Sequence, residues 1–269
     1  MMQRHAFGYL EPVEKPTADA LRSYYAERYF QLGMGNYRAS YLDDELRHID
    51  VKLRQKRLHL DDLRGSSTPG LLLDVGCGEG FALAHFERAG WQVEGLDHSS
   101  AGVTAMNPNC VRFVESGDIN ALLEERLSSS LRYDAVLLTN VLEHVIDPPE
   151  LLRLIRSLLR PGGIAVVTVP NDFSALQHHL LDEGIVQHPY WIALPDHLAY
   201  FDKDSLVATT EAAGLRCLDV LADFPIDWFL LHSGSNYVRD RALGVEAHRA
   251  RIALENLLDQ QPPTKRTAF

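Results

Sequence analysis

The sequence predicts an α/β fold, in which a central sheet carries helices on both of its faces. Short apolar runs typical of buried strands alternate with stretches whose apolar residues recur at helical spacing. The chain has 269 residues, 46% of them hydrophobic, so it can bury a full core. We therefore expect one large domain with additions rather than two equal domains.

The first strand and its loop, residues 71–80, form the most informative stretch. Three leucines lead into Asp74. The glycines that follow at alternate positions are Gly76, Gly78 and Gly80. Glycines adopt positive φ and let a ligand approach the backbone, while N–H groups at a helix start favour an electronegative group. A helix predicted at 81–89 and closed by Gly90 completes the pattern of a nucleotide-type cofactor site.

A second apolar strand ends in Asp97, twenty-one residues after Gly76. A carboxylate at that point can accept two hydrogen bonds from ribose hydroxyl groups. The dinucleotide fingerprint would need its third glycine at Phe81, whereas this chain has it at Gly80. This spacing disfavours a nicotinamide-dependent oxidoreductase.

Asp74 lies two residues before the first glycine, where a carboxylate can bind an ammonium group or order the loop. With it, the loop resembles the first motif of the class I S-adenosylmethionine-dependent methyltransferases, Asp-x-Gly-x-Gly-x-Gly. That cofactor contains an amino acid, a ribose and an adenine but no phosphate. The stretch from Leu71 to Glu87 contains no Lys or Arg, which agrees with such a ligand.

The resemblance covers roughly residues 71–221 and implies a Rossmann-like sheet of seven strands. Their order would be 3-2-1-4-5-7-6, with the seventh strand antiparallel. After the strand that ends in Asp97, the remaining strands are expected at 111–114, 133–138, 164–169, 215–221 and 227–231. Helices are expected from Pro148 and, capped by Asp202, over 206–213.

The resemblance also implies the cofactor site. In this family the acid of a Gly-Asp pair faces the adenine amino group, and Asp118 matches it. The residue at Asn140 holds the methionine end mainly through its backbone. The residues implied to bind S-adenosylmethionine are Asp74, Gly76, Cys77, Gly78, Gly80, Asp97, His98, Asp118, Ile119 and Asn140.

The segment Leu-Glu-His-Val at 142–145 recurs in relatives that methylate small molecules, such as quinone precursors and sugars. Methyl transfer from a sulfonium needs alignment of the acceptor, and a hydroxyl acceptor must also lose a proton. His144 is the candidate base, although a histidine that orders a helix start would give the same pattern. Glu143 could contact the acceptor, orient His144 or complement a helix dipole.

A long insertion at 170–200 is rich in aromatic residues and histidines, and it should lie beyond the carboxyl ends of the strands. The side chains expected to bind the acceptor are Tyr25, Glu143, His178, His179, Tyr190, Trp191 and His197. The aromatic cluster around Tyr25 could equally pack on the core. The histidines lack the spacing of metal ligands, so no metal is expected.

Three regions are expected along the chain. Residues 1–68 should form an N-terminal helical cap, with helices at 18–30 and 40–63. The methyltransferase core with its lid insertion should occupy 69–235, and a helical extension 236–269. A helix is expected at 239–259. Its apolar spacing is compatible with covering the acceptor pocket, with a homodimer contact or with packing within the chain.

Composition restricts partners and compartment. The formal net charge of −11 disfavours a nucleic-acid partner, because phosphate contacts need clustered Lys and Arg. The three isolated cysteines imply a reducing compartment, and no apolar run suits a signal peptide or a membrane span. We therefore expect a cytoplasmic protein that contacts no membrane.

Together these features predict a methyltransferase that uses S-adenosylmethionine, releases S-adenosylhomocysteine and methylates an O or N atom of a small molecule. Specialised, sugar or quinone metabolism would supply the acceptor. Alternatives are a methyltransferase acting on a protein or RNA, and a cofactor-binding module without catalysis. A strongly basic groove would favour the first alternative, whereas the loop acids and His144 argue against the second.

Overall fold

A five-stranded parallel sheet organises the part of the chain that the computed structural model describes, residues 1–17, 20–21 and 40–259. The strands are β1 (Met2–Arg4), β2 (Leu10–Pro12), β3 (Leu71–Val75), β4 (Gln92–Asp97), β5 (Val114–Ser116), β6 (Tyr133–Thr139) and β7 (Leu159–Thr168). The helices are α1 (Asp43–Arg64), α2 (Phe81–Arg88), α3 (Ala101–Met106), α4 (Ile119–Ser128), α5 (Pro148–Leu158), α6 (Ala175–Asp182), α7 (Lys203–Ala212) and α8 (Ala242–Asp259).

The sheet has the order β5-β4-β3-β6-β7, and every neighbouring pair is parallel. Counted from β3, this is 3-2-1-4-5, so the α/β class and the first five positions of the predicted order are confirmed. The carboxyl ends of parallel strands lie at one edge of the sheet. The loops that follow β3, β4, β6 and β7 therefore meet there.

Alternating side chains along the central strands fill a separate core on each face of the sheet. Leu73 and Val75 of β3 join one core, which α4 and α5 cover. Leu72 of β3 and Leu137 of β6 join the other, to which α2 contributes Phe86. Because both faces are covered, β3 is buried along its whole length and fixes the loop that follows it.

The prediction of seven strands is wrong for the described residues. Residues 215–221 belong to no helix or strand, and Ile226–Leu231 forms a 3-10 helix. Charged side chains of α1 hold this segment instead: His59 Nε2 lies 3.1 Å from Asp219 and Lys52 Nζ lies 2.8 Å from Asp223. These contacts join the segment to a helix rather than to the edge of β7.

The third strand of the sheet is also displaced from its predicted position at 111–114. Pro108 begins a 3-10 helix, Pro108–Phe113, and the strand follows it as β5. The proline explains the difference, since its fixed φ favours a first helical position and it cannot donate to a strand ladder.

The N-terminal region combines a hairpin with a long helix. β1 and β2 pair antiparallel, and Leu10 and Tyr200 exchange backbone hydrogen bonds of 3.0 and 2.8 Å. The predicted helix at 40–63 is present as α1. Most of the helix predicted at 18–30 lies outside the described residues. The division into a cap, a core and an extension stays a prediction.

Helix α8 packs against α1 through charged pairs. Glu255 lies 3.1 Å from His48 Nε2 and 3.0 Å from Lys52 Nζ, and Arg54 pairs with Asp259. Packing within the chain is thus one of the three roles open to this helix. Across residues 1–17, 20–21 and 40–259, none of the helices has the length and apolar composition needed to cross a membrane.

Candidate functional site

The loop after β3 is a tight turn held by backbone hydrogen bonds. Gly76, Gly78 and Gly80 have φ values of 71°, 54° and 74°. The N–H groups of Gly76 and Cys77 donate to the Leu96 carbonyl at 2.7 and 3.1 Å, which ties the loop to β4. A Cβ added to Gly76 would lie 2.3 Å from Val141 Cγ2, so this position admits only glycine without rearrangement.

Asp97, at the end of β4, closes this loop. One carboxylate oxygen accepts from Gly78 N at 2.8 Å and the other from Ser99 N at 3.1 Å. Burial raises the pKa of this carboxyl group, and the two N–H groups oppose the shift. A carboxylate has about four acceptor sites, so Asp97 can still accept from a ligand hydroxyl group.

Asp74 lies one residue before the end of β3 and is 4% exposed. Burial raises its pKa to about 7, although the ammonium group of Lys56 opposes the shift. Lys56 comes from α1 and donates to Thr168 Oγ1 at 3.1 Å. The sequence did not single out Lys56, because a lysine within an amphipathic helix carries no mark of which strand end it reaches.

The remaining residues of the predicted cofactor set lie at neighbouring strand ends. Asp118 caps α4 by accepting from Ala121 N at 3.0 Å, and Ile119 is buried. Burial lowers the pKa of His98, while the carboxylates of Asp97 and Asp118 oppose that shift. These positions surround the ends of β4 and β5.

Cys77 and Asn140 complete the set. Burial raises the pKa of the Cys77 thiol, which makes it a poor nucleophile. Asn140 follows β6 with a φ of 53°, and its N–H donates to the Thr168 carbonyl at 2.8 Å. The positive φ, which is uncommon outside glycine, turns the chain sharply after β6.

Beyond β6, a second group of side chains gathers around His144. Its Nδ1 lies 2.9 Å from the Asp196 carbonyl oxygen, which can only accept, so we assign the proton to Nδ1 and leave Nε2 basic. Nε2 lies 3.8 Å from Glu143 Oε1. The His197 ring packs edge-on against His144 at a centroid distance of 4.8 Å.

The insertion is fastened to this group by its own backbone. The Glu143 carbonyl accepts from Leu198 N at 2.7 Å and from Ala199 N at 3.0 Å. These two bonds bring His197 beside His144, although 53 positions separate the two histidines in the sequence (197 − 144 = 53). No local spacing could have predicted this contact.

Glu143, His144 and His197 form a cluster that could hold a divalent metal ion. Each offers one ligand atom, and these atoms all lie within 4.8 Å of one another. Imidazole and carboxylate groups are common metal ligands. The sequence predicted no metal because the histidines lack ligand spacing, and that expectation stays untested.

Two buried carboxyl groups in this region have raised pKa values. Glu143 is 1% exposed, and burial raises its pKa to about 8, with Asp172 and Asp196 adding to the shift. Asp172 is 3% exposed, and burial raises its pKa to about 7, with Asp227 adding to the shift. Sequence reasoning missed Asp172, whose only mark was its place just after the fifth strand of the sheet.

The other predicted acceptor-binding residues are spread more widely. Trp191 is buried, and its ring packs edge-on against Tyr190 at 5.2 Å. His178 and His179 are exposed on α6, and neither belongs to the cluster around His144. Tyr25 lies outside the described residues.

Comparison with known families identifies the domain. Residues 46–220 match the family model described as a methyltransferase domain. A ubiquinone biosynthesis O-methyltransferase of Bradyrhizobium sp. (strain ORS 278) is 35% identical over 170 residues, which are 59% of this chain and 65% of that protein. The one of Caulobacter sp. (strain K31) is 37% identical over 102 residues, or 37% of this chain and 40% of that protein. The chain thus spans less than two thirds of the length of these relatives.

Solved structures share the fold. A 1,6-didemethyltoxoflavin-N1-methyltransferase of Burkholderia thailandensis superposes with a TM-score of 0.52 at 20% identity, over 81% of this chain and 89% of that one. The magnesium protoporphyrin IX methyltransferase of Synechocystis PCC 6803 gives a TM-score of 0.50 at 16% identity, over 74% and 90% of the two chains. At these identities the likeness shows the fold alone.

Replacing Gly76 by Ala should destabilise the protein more than replacing Gly65, which provides a matched control. Both glycines have positive φ, but nothing lies within 4 Å of a Cβ at Gly65. We expect Gly65→Ala to lower the free energy of unfolding by about 1–2 kcal/mol, because alanine is strained at positive φ. Gly76→Ala should lower the free energy of unfolding by about 1–3 kcal/mol more, because the new Cβ overlaps Val141. Urea unfolding measures both, and equal losses would refute the close approach.

Replacing Asp74 by Asn should remove a pH dependence of stability. The folded-state pKa of about 7 exceeds the ordinary value of 3.8, so stability from this group is lost as pH rises through about 7. Between pH 6 and pH 8 the free energy of unfolding of the wild type should fall by about 1 kcal/mol more than that of the variant.

Asp134→Asn is the control for this measurement. Although burial opposes it, the Leu71 N–H and Arg160 hold the pKa of Asp134 below its ordinary value, so its titration is complete well below pH 6. This variant should keep the wild-type slope between pH 6 and pH 8. An unchanged slope in Asp74→Asn would contradict the raised pKa.

Proposed function

Because this chain belongs to the methyltransferase-domain family, we propose that it transfers a methyl group from S-adenosylmethionine to a small-molecule acceptor. The observation that carries the proposal is the glycine loop between Asp74 and Asp97, which we call the cradle, where close packing against Val141 leaves no room for a Cβ at Gly76. Its buried acids suit a ligand that offers hydroxyl and ammonium donors and carries no phosphate.

Different residues of the cradle would bind different parts of the cofactor. The lone pairs left on Asp97 would accept from the ribose hydroxyl groups, and the Asp74 carboxylate would bind the ammonium of the methionine part. Asp118 would accept from the adenine amino group. The bound cofactor supplies a methyl group activated by positively charged sulfur, so the protein mainly has to position the two reactants.

The acceptor would bind where β6 and β7 end, beside Glu143, His144 and the insertion. The relatives named ubiquinone biosynthesis O-methyltransferase favour an oxygen as the methylated atom. Quinone-type or sugar-type metabolism would supply such an acceptor. The predicted lack of nucleic-acid and membrane partners, the homodimer and the cytoplasmic location stay predictions.

His144 would act as the general base. The Asp196 carbonyl holds Nδ1–H at 2.9 Å, which fixes the ring and leaves Nε2 to take the proton of an acceptor hydroxyl group. Glu143 lies on the Nε2 side of the ring, so its carboxyl group can orient the acceptor or stabilise the imidazolium that forms. The neutral sulfide and the methylated product would then leave the site.

Binding of S-adenosylhomocysteine tests the cofactor proposal. At a concentration 100 times its dissociation constant it should stabilise the protein by about 2.7 kcal/mol, seen as a rise in Tm. Asp97→Ala should weaken binding at least about tenfold, because charged hydrogen bonds are worth about 1.5–3 kcal/mol each. Exposed Asp204→Ala is the control and should bind normally. No thermal shift in the wild type at high excess would refute the proposal.

Replacing His144 by Ala tests the base. With an acceptor found by screening hydroxylated small molecules for S-adenosylhomocysteine release, kcat should fall by about 10²–10⁴-fold at saturating cofactor. Binding of S-adenosylhomocysteine should not change. With a thiol analogue of the acceptor, His144→Ala should lose less kcat than with the hydroxyl acceptor, since thiols ionise near pH 8.5 without a base. The exposed His232→Ala is the control, and a wild-type rate for His144→Ala from pH 6 to pH 9 would exclude the base role.

A further inference from the structure

Three carboxyl groups lie together on the acceptor side of the site. Glu143 follows β6, Asp172 follows β7, and Asp196 comes from the insertion. Asp196 Oδ1 lies 3.6 Å from His144 Nδ1, and Glu143 Oε1 lies 3.8 Å from His144 Nε2. The backbone joins Asp172 to the segment that holds Glu143, because Asp172 N donates to the Phe201 carbonyl at 2.7 Å and Ala199 N donates to the Glu143 carbonyl at 3.0 Å. The charge of Asp172 disfavours ionisation of Glu143. Groups that can take a negative charge when a cation binds are thus concentrated around Glu143 and His144.

Each of these groups keeps an oxygen without a hydrogen-bond donor. Within the described part of the chain, Glu143 Oε2, Asp172 Oδ2 and Asp196 Oδ1 are buried atoms with no hydrogen-bond partner. The Glu143 and Asp172 residues are only 1% and 3% exposed. Burying such an oxygen unpaired is costly, so the fold retains acceptors that a ligand with N–H or O–H donors would satisfy.

In the part of the chain that the structure describes, neither Lys nor Arg places a positive charge beside these acids. No Lys or Arg nitrogen of residues 1–17, 20–21 and 40–259 lies within 4.0 Å of the carboxylates of Glu143, Asp172 or Asp196, and His144 lies near Glu143 and Asp196. Elsewhere the pattern differs: Glu94 and Glu115 pair with Arg126, and Asp134 with Arg160. A bound ligand can supply the cation that the described residues do not place beside these acids.

A group of aromatic rings begins at the residue after Asp172. Phe173 directly follows Asp172, and its ring packs edge-on against Trp191 at 5.4 Å and Tyr200 at 6.3 Å. Phe173 has a φ of 55°, a backbone strain that the surrounding packing must hold. Rings beside carboxylates are the surroundings in which proteins bind organic ammonium groups, through charged hydrogen bonds and cation–π contacts.

We propose that the acceptor carries a protonated amine, which the carboxylates of Glu143 and Asp172 bind beside the rings of Phe173 and Trp191. The inference rests on the proposed function, since it names the class of molecule bound at the same site. A bare divalent metal ion would satisfy the acids and His197 but would make no use of the aromatic rings. An organic ammonium uses both.

The test compares tyramine with tyrosol, which differ only in an ammonium group against a hydroxyl group. Binding to the full-length protein saturated with S-adenosylhomocysteine is measured at pH 7 by isothermal titration calorimetry. Tyramine should bind at least about tenfold more tightly than tyrosol, the factor that about 1.4 kcal/mol provides. Glu143→Gln and Asp172→Asn should each bring the ratio to within about twofold, whereas the exposed Glu246→Gln should keep it.

The outcomes separate the two proposals. If S-adenosylhomocysteine does not bind the wild type, the proposed function fails and the amine inference falls with it. If it binds but tyramine and tyrosol bind equally, or not at all, the amine inference alone is overturned. One Mn²⁺ bound per chain, displacing tyramine and lost in His197→Ala, would also overturn it in favour of a metal. Should Glu143→Gln not fold, Asp172→Asn gives the same comparison.

Discussion

The turn after β3 is the constraint on which the rest of the site depends. The chain has to leave a fully buried strand, reverse within five residues and enter α2, and Val141 and Val103 leave no room for a Cβ at Gly76 and Gly80. The Leu96 carbonyl and the Asp97 carboxylate supply the hydrogen bonds that the turn cannot make to itself. Strand β4 therefore fixes the loop of β3, and a displacement of either strand would open the cradle.

The side of the site proposed to bind the acceptor is built in a different way. It depends on two backbone bonds from the Glu143 carbonyl to the end of a long insertion, and on one bond from His144 to the Asp196 carbonyl. These contacts join segments far apart in sequence, whereas the cofactor side joins consecutive strands. Such a division lets the insertion change the acceptor without disturbing the turn that would hold the cofactor.

Buried carboxyl groups run through both halves of the site. Burial raises the pKa values of Asp74 and Asp172 to about 7 and that of Glu143 to about 8. Groups of this kind are costly to the fold, and they cluster at the carboxyl edge of the sheet, where ligands of open α/β sheets bind. The electrostatics and the topology therefore indicate the same edge of the molecule.

The sequence by itself determined the local units: the glycine turn, the strands β3, β4 and β6, the helix that starts at Pro148 and the cap at Asp202. Each depends on residues close in the chain, and so periodicity and turn chemistry were enough to predict them. The order of the first five strands and most of the predicted cofactor residues came from the family resemblance.

Only the tertiary structure decided which distant groups meet. It brought His197 to His144, Asp172 to Glu143 and Lys56 to Asp74, and it left His178 and His179 exposed. It also left residues 215–221 outside the sheet, with Asp219 beside His59 of α1, where an apolar run had predicted a strand. The physical reason is that a local sequence pattern reflects the environment that each residue prefers. Contacts between distant segments depend instead on how helices and loops pack over the sheet.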